Sequence, residues 1–200
     1  ELGVNIKKRN NFWEIRGNGL GSLRSPDKVL NLGNSGTGVR LLMGLVSGCD
    51  ITVSFTGDES LNTRPMKRVL IPLEQSGAEI LSNDNKLPIT IKGNKIPIPI
   101  KYRSSLSSAQ VKSCVLLNGL TSTGTTLYSE AVKSRDHTEI MLNEFGCNIT
   151  LKSDSINVIP SKLTSPKTID IPGDISSASF KIEFLRSRST IFLSSFLLAF

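Results

Sequence analysis

Histidine and paired cysteine are the clearest shortages of this chain. Its 200 residues hold one histidine, His137, and three cysteines, Cys49, Cys114 and Cys147, far apart and with no C-x-x-C pair. An odd number of scattered cysteines gives no disulfide framework, and a single imidazole to join them gives no cysteine-rich zinc site. A reducing cytoplasm is the compartment such usage suits. Aromatic residues make up 6%, and none is interleaved with a basic cluster, which argues against a nucleic-acid surface. No basic segment followed by an apolar run opens the chain, so no secretory signal is read there. The first residue is Glu1 rather than methionine, from which a start inside a longer protein is expected.

What is present is an ordinary globular composition, 38% hydrophobic and 20% charged, enough for one domain or two small ones. The net charge of +7 suits an anionic partner and does not choose between nucleic acid, acidic lipid and a phosphorylated metabolite.

The strongest architectural signal is an internal repeat. Gly33-Asn34-Ser35-Gly36-Thr37 opens an apolar run, Val39 to Val46, followed by a strand-like stretch, Asp50 to Phe55. A helix then begins around Arg64-Pro65-Met66, with the proline expected in its first turn, an apolar stripe of Met66, Val69, Leu70 and Leu73, and Gly77 as its stop. Two short strands follow, at Ala78 to Leu81 and Pro88 to Gly93. The order begins again at Ser107-Ser108-Ala109-Gln110, which opens the run Val111 to Leu120. A strand-like Thr125 to Ala131 follows, then Asp136-His137-Thr138-Glu139, read as a capping box for a helix stopped by Gly146. Cys147 to Lys152 and Ile156 to Ile159 supply the closing strands.

Ser35 and Ser108 stand 73 residues apart, Ser108 and Ser177 69, and Gly77 and Gly146 69. The pattern read from the residues is α-β-α-β-β. A third copy is announced at Gly173 to Ala178 without its following elements, and one strand of an earlier copy is read at Phe12 to Arg16. The plainer alternative is an α+β fold without symmetry. One helix of each copy is apolar on nearly every side, which implies helices covered on all sides by sheet.

The chemistry-bearing residues gather at helix beginnings. The glycine-rich segment Gly33 to Gly38 lies where unpaired N–H groups favour an anion, although it has neither the Walker A lysine nor a dinucleotide fingerprint, and a plain turn is an equal reading. Ser107 or Ser108 could simply cap the next helix. Arg64 and Arg135 precede matched second helices, and a guanidinium grips phosphate or carboxylate bidentately. His137 lacks a nucleophile pattern, and Asp58 and Glu59 read most simply as an exposed loop pair.

Five ordered motifs, Leu32-Gly33-Asn34-Ser35-Gly36-Thr37-Gly38-Val39-Arg40, Phe55-Thr56-Gly57-Asp58, Arg64-Pro65-Met66, Ser108-Ala109-Gln110-Val111-Lys112-Ser113 and Ser134-Arg135-Asp136-His137-Thr138-Glu139, together resemble the 5-enolpyruvylshikimate-3-phosphate synthase family, from about Glu1 to Phe180. The resemblance implies an α/β (α+β) fold of repeated βαβαββ units, the "inside-out" α/β barrel of the enolpyruvyl transferases, with three units in each of two lobes. It implies a transferase of the shikimate pathway, in aromatic amino-acid biosynthesis, that moves the enolpyruvyl group of phosphoenolpyruvate to the 5-hydroxyl of shikimate 3-phosphate. No metal or organic cofactor is implied, nor a nucleic-acid or membrane partner, and the complete enzyme would be a cytoplasmic monomer. Asn34, Gly36, Thr37, Arg64 and Gln110 would hold phosphoenolpyruvate; Ser108, Ala109, Gln110 and Arg135 would hold shikimate 3-phosphate.

The family's acid–base residues have no counterpart here, so no catalytic residue is assigned and the chain is expected to be inactive alone. Residues 1–170 are read as the first lobe without its N-terminal part, 171–180 as the start of the second lobe, and 181–200 as a tail foreign to the family. A frame shift or truncation near codon 180 would produce that tail. Its last twelve residues, Ser189 to Phe200, are apolar apart from serine and threonine and too short to span a bilayer. The rival readings are a non-catalytic anion-binding remnant and a relative of UDP-N-acetylglucosamine enolpyruvyl transferase, whose loop cysteine finds no match in Cys49, Cys114 or Cys147.

Overall fold

The structure, a computed structural model, describes residues 1–10, 12–166 and 168–169. The third copy expected at Gly173 to Ala178, the lobe boundary at 171–180 and the tail at 181–200 lie outside the described residues. Two βαβαββ units follow one another. The first comprises β3 (Leu30–Asn31), α1 (Gly36–Ser47), β4 (Thr52–Thr56), α2 (Glu59–Thr63), α3 (Lys67–Gln75), β5 (Glu79–Asn83) and β6 (Lys86–Lys92). The second comprises β7 (Lys101–Ser104), α4 (Ala109–Gly119), β8 (Thr126–Glu130), α5 (His137–Glu144), β9 (Asn148–Leu151) and β10 (Ser155–Ile159). A hairpin of β1 (Asn5–Arg9) and β2 (Phe12–Arg16) precedes them.

The two sheets share one topology, β3-β4-β6-β5 and β7-β8-β10-β9. In each, the first pair is parallel and the other two are antiparallel. The expected symmetry is therefore present, with a leading strand in each unit that the α-β-α-β-β reading lacked. The single strand expected at Phe12 to Arg16 is half of a hairpin: Ile15 pairs with Ile6 and Trp13 with Lys8. Gly77 and Gly146 both take a left-handed φ, +95° and +70°, in the turn after α3 and α5. That conformation ends a helix at little cost only in glycine.

Period-2 burial marks the sheet face against the core: Leu87, Ile89 and Ile91 of β6 are buried, as are Val53 and Phe55 of β4. Helix α1 buries Val39, Met43 and Val46, and every residue of α4 from Val111 to Gly119 is buried. Helix α4 packs against α1, α3 and β8, which accounts for its lack of a polar face.

Helices α1 and α4 lie side by side in the same direction. Gln110 meets Thr37 and Arg40 near their starts, the backbone of Cys114 lies against Gly44 at mid-length, and Asn118 donates to the Ser47 hydroxyl at 2.9 Å near their ends. A Cβ on Gly44 would stand 2.4 Å from the Cys114 carbonyl oxygen, so the approach requires glycine. Pro72 inside α3 has no N–H for the Arg68 carbonyl; the Tyr102 hydroxyl donates to that carbonyl instead, at 3.5 Å, tying the second unit to the first.

Three local expectations change. Helix α3 begins at Lys67 with Met66 as its N-cap, so Pro65 stands outside the first turn. Arg64, immediately before that proline, is forced into extended backbone (ψ 135°) and ends α2. Asp58 and Glu59 are exposed but not in a loop: the Asp58 carboxylate accepts from Leu61 N–H at 2.7 Å and caps α2. The capping box at Asp136 to Glu139 does not form. Asp136 makes no side-chain cap, and Glu139 turns inward to the ammonium of Lys112 at 2.7 Å, because a buried lysine requires a carboxylate more than an exposed helix start does.

Candidate functional site

The parallel run of α1 and α4 puts both helix beginnings at one end of the molecule. Each is capped by serine: Ser35 accepts from Gly38 N–H at 3.1 Å and Ser108 from Val111 N–H at 3.5 Å. The loop entering α1 is pinned from below, with Asp58 N–H donating to the Gly33 carbonyl at 2.9 Å and Leu32 N–H to that of Thr56 at 2.9 Å. Asn34 is thereby held against Arg64, whose Nη2 donates to Asn34 Oδ1 and, at 3.2 Å, to the Ser60 hydroxyl.

Arg40 joins these pieces to α4. Its Nη1 donates to the Gly36 carbonyl at 2.9 Å and to Gln110 Oε1 at 3.0 Å, and its Nη2 to the Pro65 carbonyl at 3.3 Å. Since the Gln110 oxygen is taken by a guanidinium, its amide nitrogen faces the other way and donates to the Thr37 hydroxyl at 2.8 Å. A Cβ on Gly36 would stand 2.9 Å from Arg64 Nη1 and 3.0 Å from Arg40 Nη1, so both guanidinia converge on that glycine.

Asn34, Gly36, Thr37, Arg64 and Gln110 thus form one cluster, with Ser108 and Ala109 beside Gln110 in the opening turn of α4. Arg135 stands apart in contact, though at the same end of α4. It is exposed and makes no hydrogen bond among the described residues, while its neighbours are tied to the first turns of α4: the Ser134 carbonyl to Lys112 Nζ at 3.1 Å and the Thr138 hydroxyl to that of Ser113 at 2.6 Å. Arg64 and Arg135 are matched in chain position and differ in environment. His137, at the start of α5, is exposed.

The electrostatics are one-sided. Burial, and then the nearby charges of Arg64 and Arg68, hold the Arg40 guanidinium below its ordinary value. Among the described residues none of these three arginines forms an ion pair. Cations gathered without carboxylates, beside two helix starts, make a site for an anion. Sequence reasoning missed Arg40 as a site residue, although it closes the first motif; its place inside an apolar run concealed that it reaches across to α4. The three cysteines are all buried, Cys114 in the core of α4.

Tandem βαβαββ units whose inner helices start together beside arginines that form no ion pair among the described residues define a lobe of the repeated α/β class. The sequence profile of EPSP synthase (3-phosphoshikimate 1-carboxyvinyltransferase) matches residues 1–184, and the chain belongs to that family. It is 46% identical over 184 residues to the 3-phosphoshikimate 1-carboxyvinyltransferase of Endomicrobium trichonymphae, covering 91% of this chain and 43% of that protein. Over 187 residues it is 43% identical to the protein of the same name from Rhodopseudomonas palustris (strain BisA53), covering 90% of this chain and 42% of the relative. The solved structure of EPSP synthase from Acinetobacter baumannii superposes with a TM-score of 0.82 at 39% identity, over 90% of this chain and 41% of that one. The chain therefore spans about two fifths of the length of these relatives.

Proposed function

We propose that this chain supplies the substrate-gripping part of the first lobe of an enolpyruvyl transferase that joins phosphoenolpyruvate to the 5-hydroxyl of shikimate 3-phosphate with release of phosphate. Residues 1–170 would form that lobe, 171–180 lead into the second, and the tail read from 181 onward would be foreign to the family beyond residue 184, where the profile match ends. The observation that carries the reading is the convergence of the Arg40 and Arg64 guanidinia on Gly36, with no ion pair to either among the described residues, at the joint beginning of α1 and α4.

In this reading Arg64, Asn34, Gly36 and Thr37 receive phosphoenolpyruvate, and Ser108, Ala109 and Arg135 receive shikimate 3-phosphate. Gln110 lies between the two. Arg40 occupies its oxygen and the Thr37 hydroxyl one of its amide N–H groups, which leaves the second N–H as the donor for a ligand. Addition of the hydroxyl to the enol carbon passes through a charged tetrahedral species, and fixed donors stabilise such charge without reorganising. Proton transfer is left to groups outside this chain, and no turnover is expected from it alone.

Calorimetric titration tests the reading. Weak binding of shikimate 3-phosphate that disappears in Arg135→Ala, and weak binding of phosphoenolpyruvate that disappears in Arg64→Ala, is the expected result. An absence of binding at millimolar ligand would reduce the chain to a remnant, and robust turnover by the purified chain would contradict the assignment of acid–base chemistry elsewhere.

A further inference from the structure

Beneath the anion cluster lies a second group of charges, and its hydrogen bonds lead to the residue preceding Arg135. Lys112 sits in the first turn of α4 and is 1% exposed. Its three N–H groups have three acceptors: Glu139 Oε1 at 2.7 Å, Glu130 Oε1 at 3.3 Å and the Ser134 carbonyl at 3.1 Å. Glu130 accepts Ser134 N–H at 2.7 Å, the Ser134 hydroxyl at 2.9 Å from each oxygen, and the Tyr128 hydroxyl at 3.3 Å. Amide, carbonyl and side chain of Ser134 are all taken by two buried charges.

We propose that Glu130, anchored by Lys112, is a positioning residue for ligand binding: it grips Ser134 so that the next residue, Arg135, presents its guanidinium at the α4 end of the anion pocket. This rests on the reading of Arg135 as a ligand contact. Lys112 and Glu139 suffice to tie α4 to α5; Glu130, besides its bonds from Lys112 and Tyr128, accepts from both the amide and the hydroxyl of Ser134 in the loop. Replacing a buried ion pair by apolar residues is often neutral or stabilising, so the contribution of this cluster is chiefly geometric. A cavity of about 160 Å³ lies against Lys112, Glu130, Ser134 and Glu139, so hydrogen bonds rather than close packing hold the loop. A long exposed arginine on a fixed backbone loses less freedom when it closes on an anion.

The test titrates the 200-residue chain with shikimate 3-phosphate and, separately, with phosphoenolpyruvate. Glu130→Gln should weaken shikimate 3-phosphate by about tenfold, leave phosphoenolpyruvate unchanged, and add nothing in an Arg135→Ala background. Ser134→Ala removes only the hydroxyl at a half-buried site, so it keeps the test open if Glu130→Gln does not fold; it should cost about threefold, again only when Arg135 is present. Additive losses in the double variants, or equal loss for both ligands, would overturn the positioning role while leaving Arg135 as a ligand contact. If wild type shows no binding, or Arg135→Ala has no effect, the ligand reading falls and this inference falls with it.

Discussion

At the scale of single residues, the site depends on where donors point. Arg40 settles the orientation of the Gln110 amide, so Arg40→Met should free that amide to rotate and weaken phosphoenolpyruvate by about tenfold, roughly 1.4 kcal/mol. Arg40→Lys should recover only part, because an ammonium cannot span Gly36, Gln110 and Pro65 in one plane. Calorimetry on the two variants decides this. Gly36→Ala meets the movable ends of two arginines rather than backbone. It should therefore weaken the same ligand several-fold, by about 1 kcal/mol, with little change in the urea midpoint. Glu130 gives a pH dependence. Burial pushes its carboxyl up, but bonds from the Ser134 amide and hydroxyl and the charge of Lys112 outweigh that, and the folded value lies below the ordinary one. A carboxyl lowered by folding contributes stability that is complete above its unfolded value, about 4.3, and is lost as pH falls through the folded value. Urea midpoints measured from neutral pH to about pH 3 should fall more steeply for wild type than for Glu130→Gln.

At the scale of elements, the parallel contact of α1 with α4 is the joint on which the site turns. Gly44→Ala puts a methyl group into the Cys114 carbonyl and should cost about 1–3 kcal/mol in urea unfolding, and Gly44→Val more. The long apolar helices, the serine cap of α4 and the glycine stops at Gly77 and Gly146 were legible in the sequence because periodicity and left-handed turns leave direct marks. The leading strands were not: β3 is only Leu30–Asn31, and β7 reads Lys-Tyr-Arg-Ser, with no run of apolar residues to announce it. Each is defined by a parallel partner distant in the chain. In the same way, Asp136 to Glu139 has the composition of a capping box, and only the buried Lys112, invisible from that segment, redirects Glu139. Glycine-rich loop, arginines and Gln110 were legible as candidates; the crossing reach of Arg40 was not, since a local pattern carries no information about a neighbouring helix.

At the scale of the whole molecule, charge and symmetry act together. The net charge of +7 and a cluster of guanidinia without ion pairs among the described residues favour any small multivalent anion, so specificity has to come from the placement of donors rather than from attraction alone. Raising ionic strength from about 0.05 M to about 0.5 M should weaken shikimate 3-phosphate by roughly tenfold, and inorganic phosphate should compete poorly, since it cannot reach Arg135 and the opening turn of α4 at Ser108 and Gln110 together. Calorimetry across the salt series measures both. No helix among the described residues is long and apolar enough to cross a membrane.

Where Gly44 touches α4 it meets main chain, which every amino acid carries. Enlargement on α1 therefore cannot be relieved by trimming a side chain on α4, and the two copies cannot drift apart at that seam however far their surfaces diverge. The shared aim of the two helix beginnings is guarded by a contact that substitution can break but cannot renegotiate.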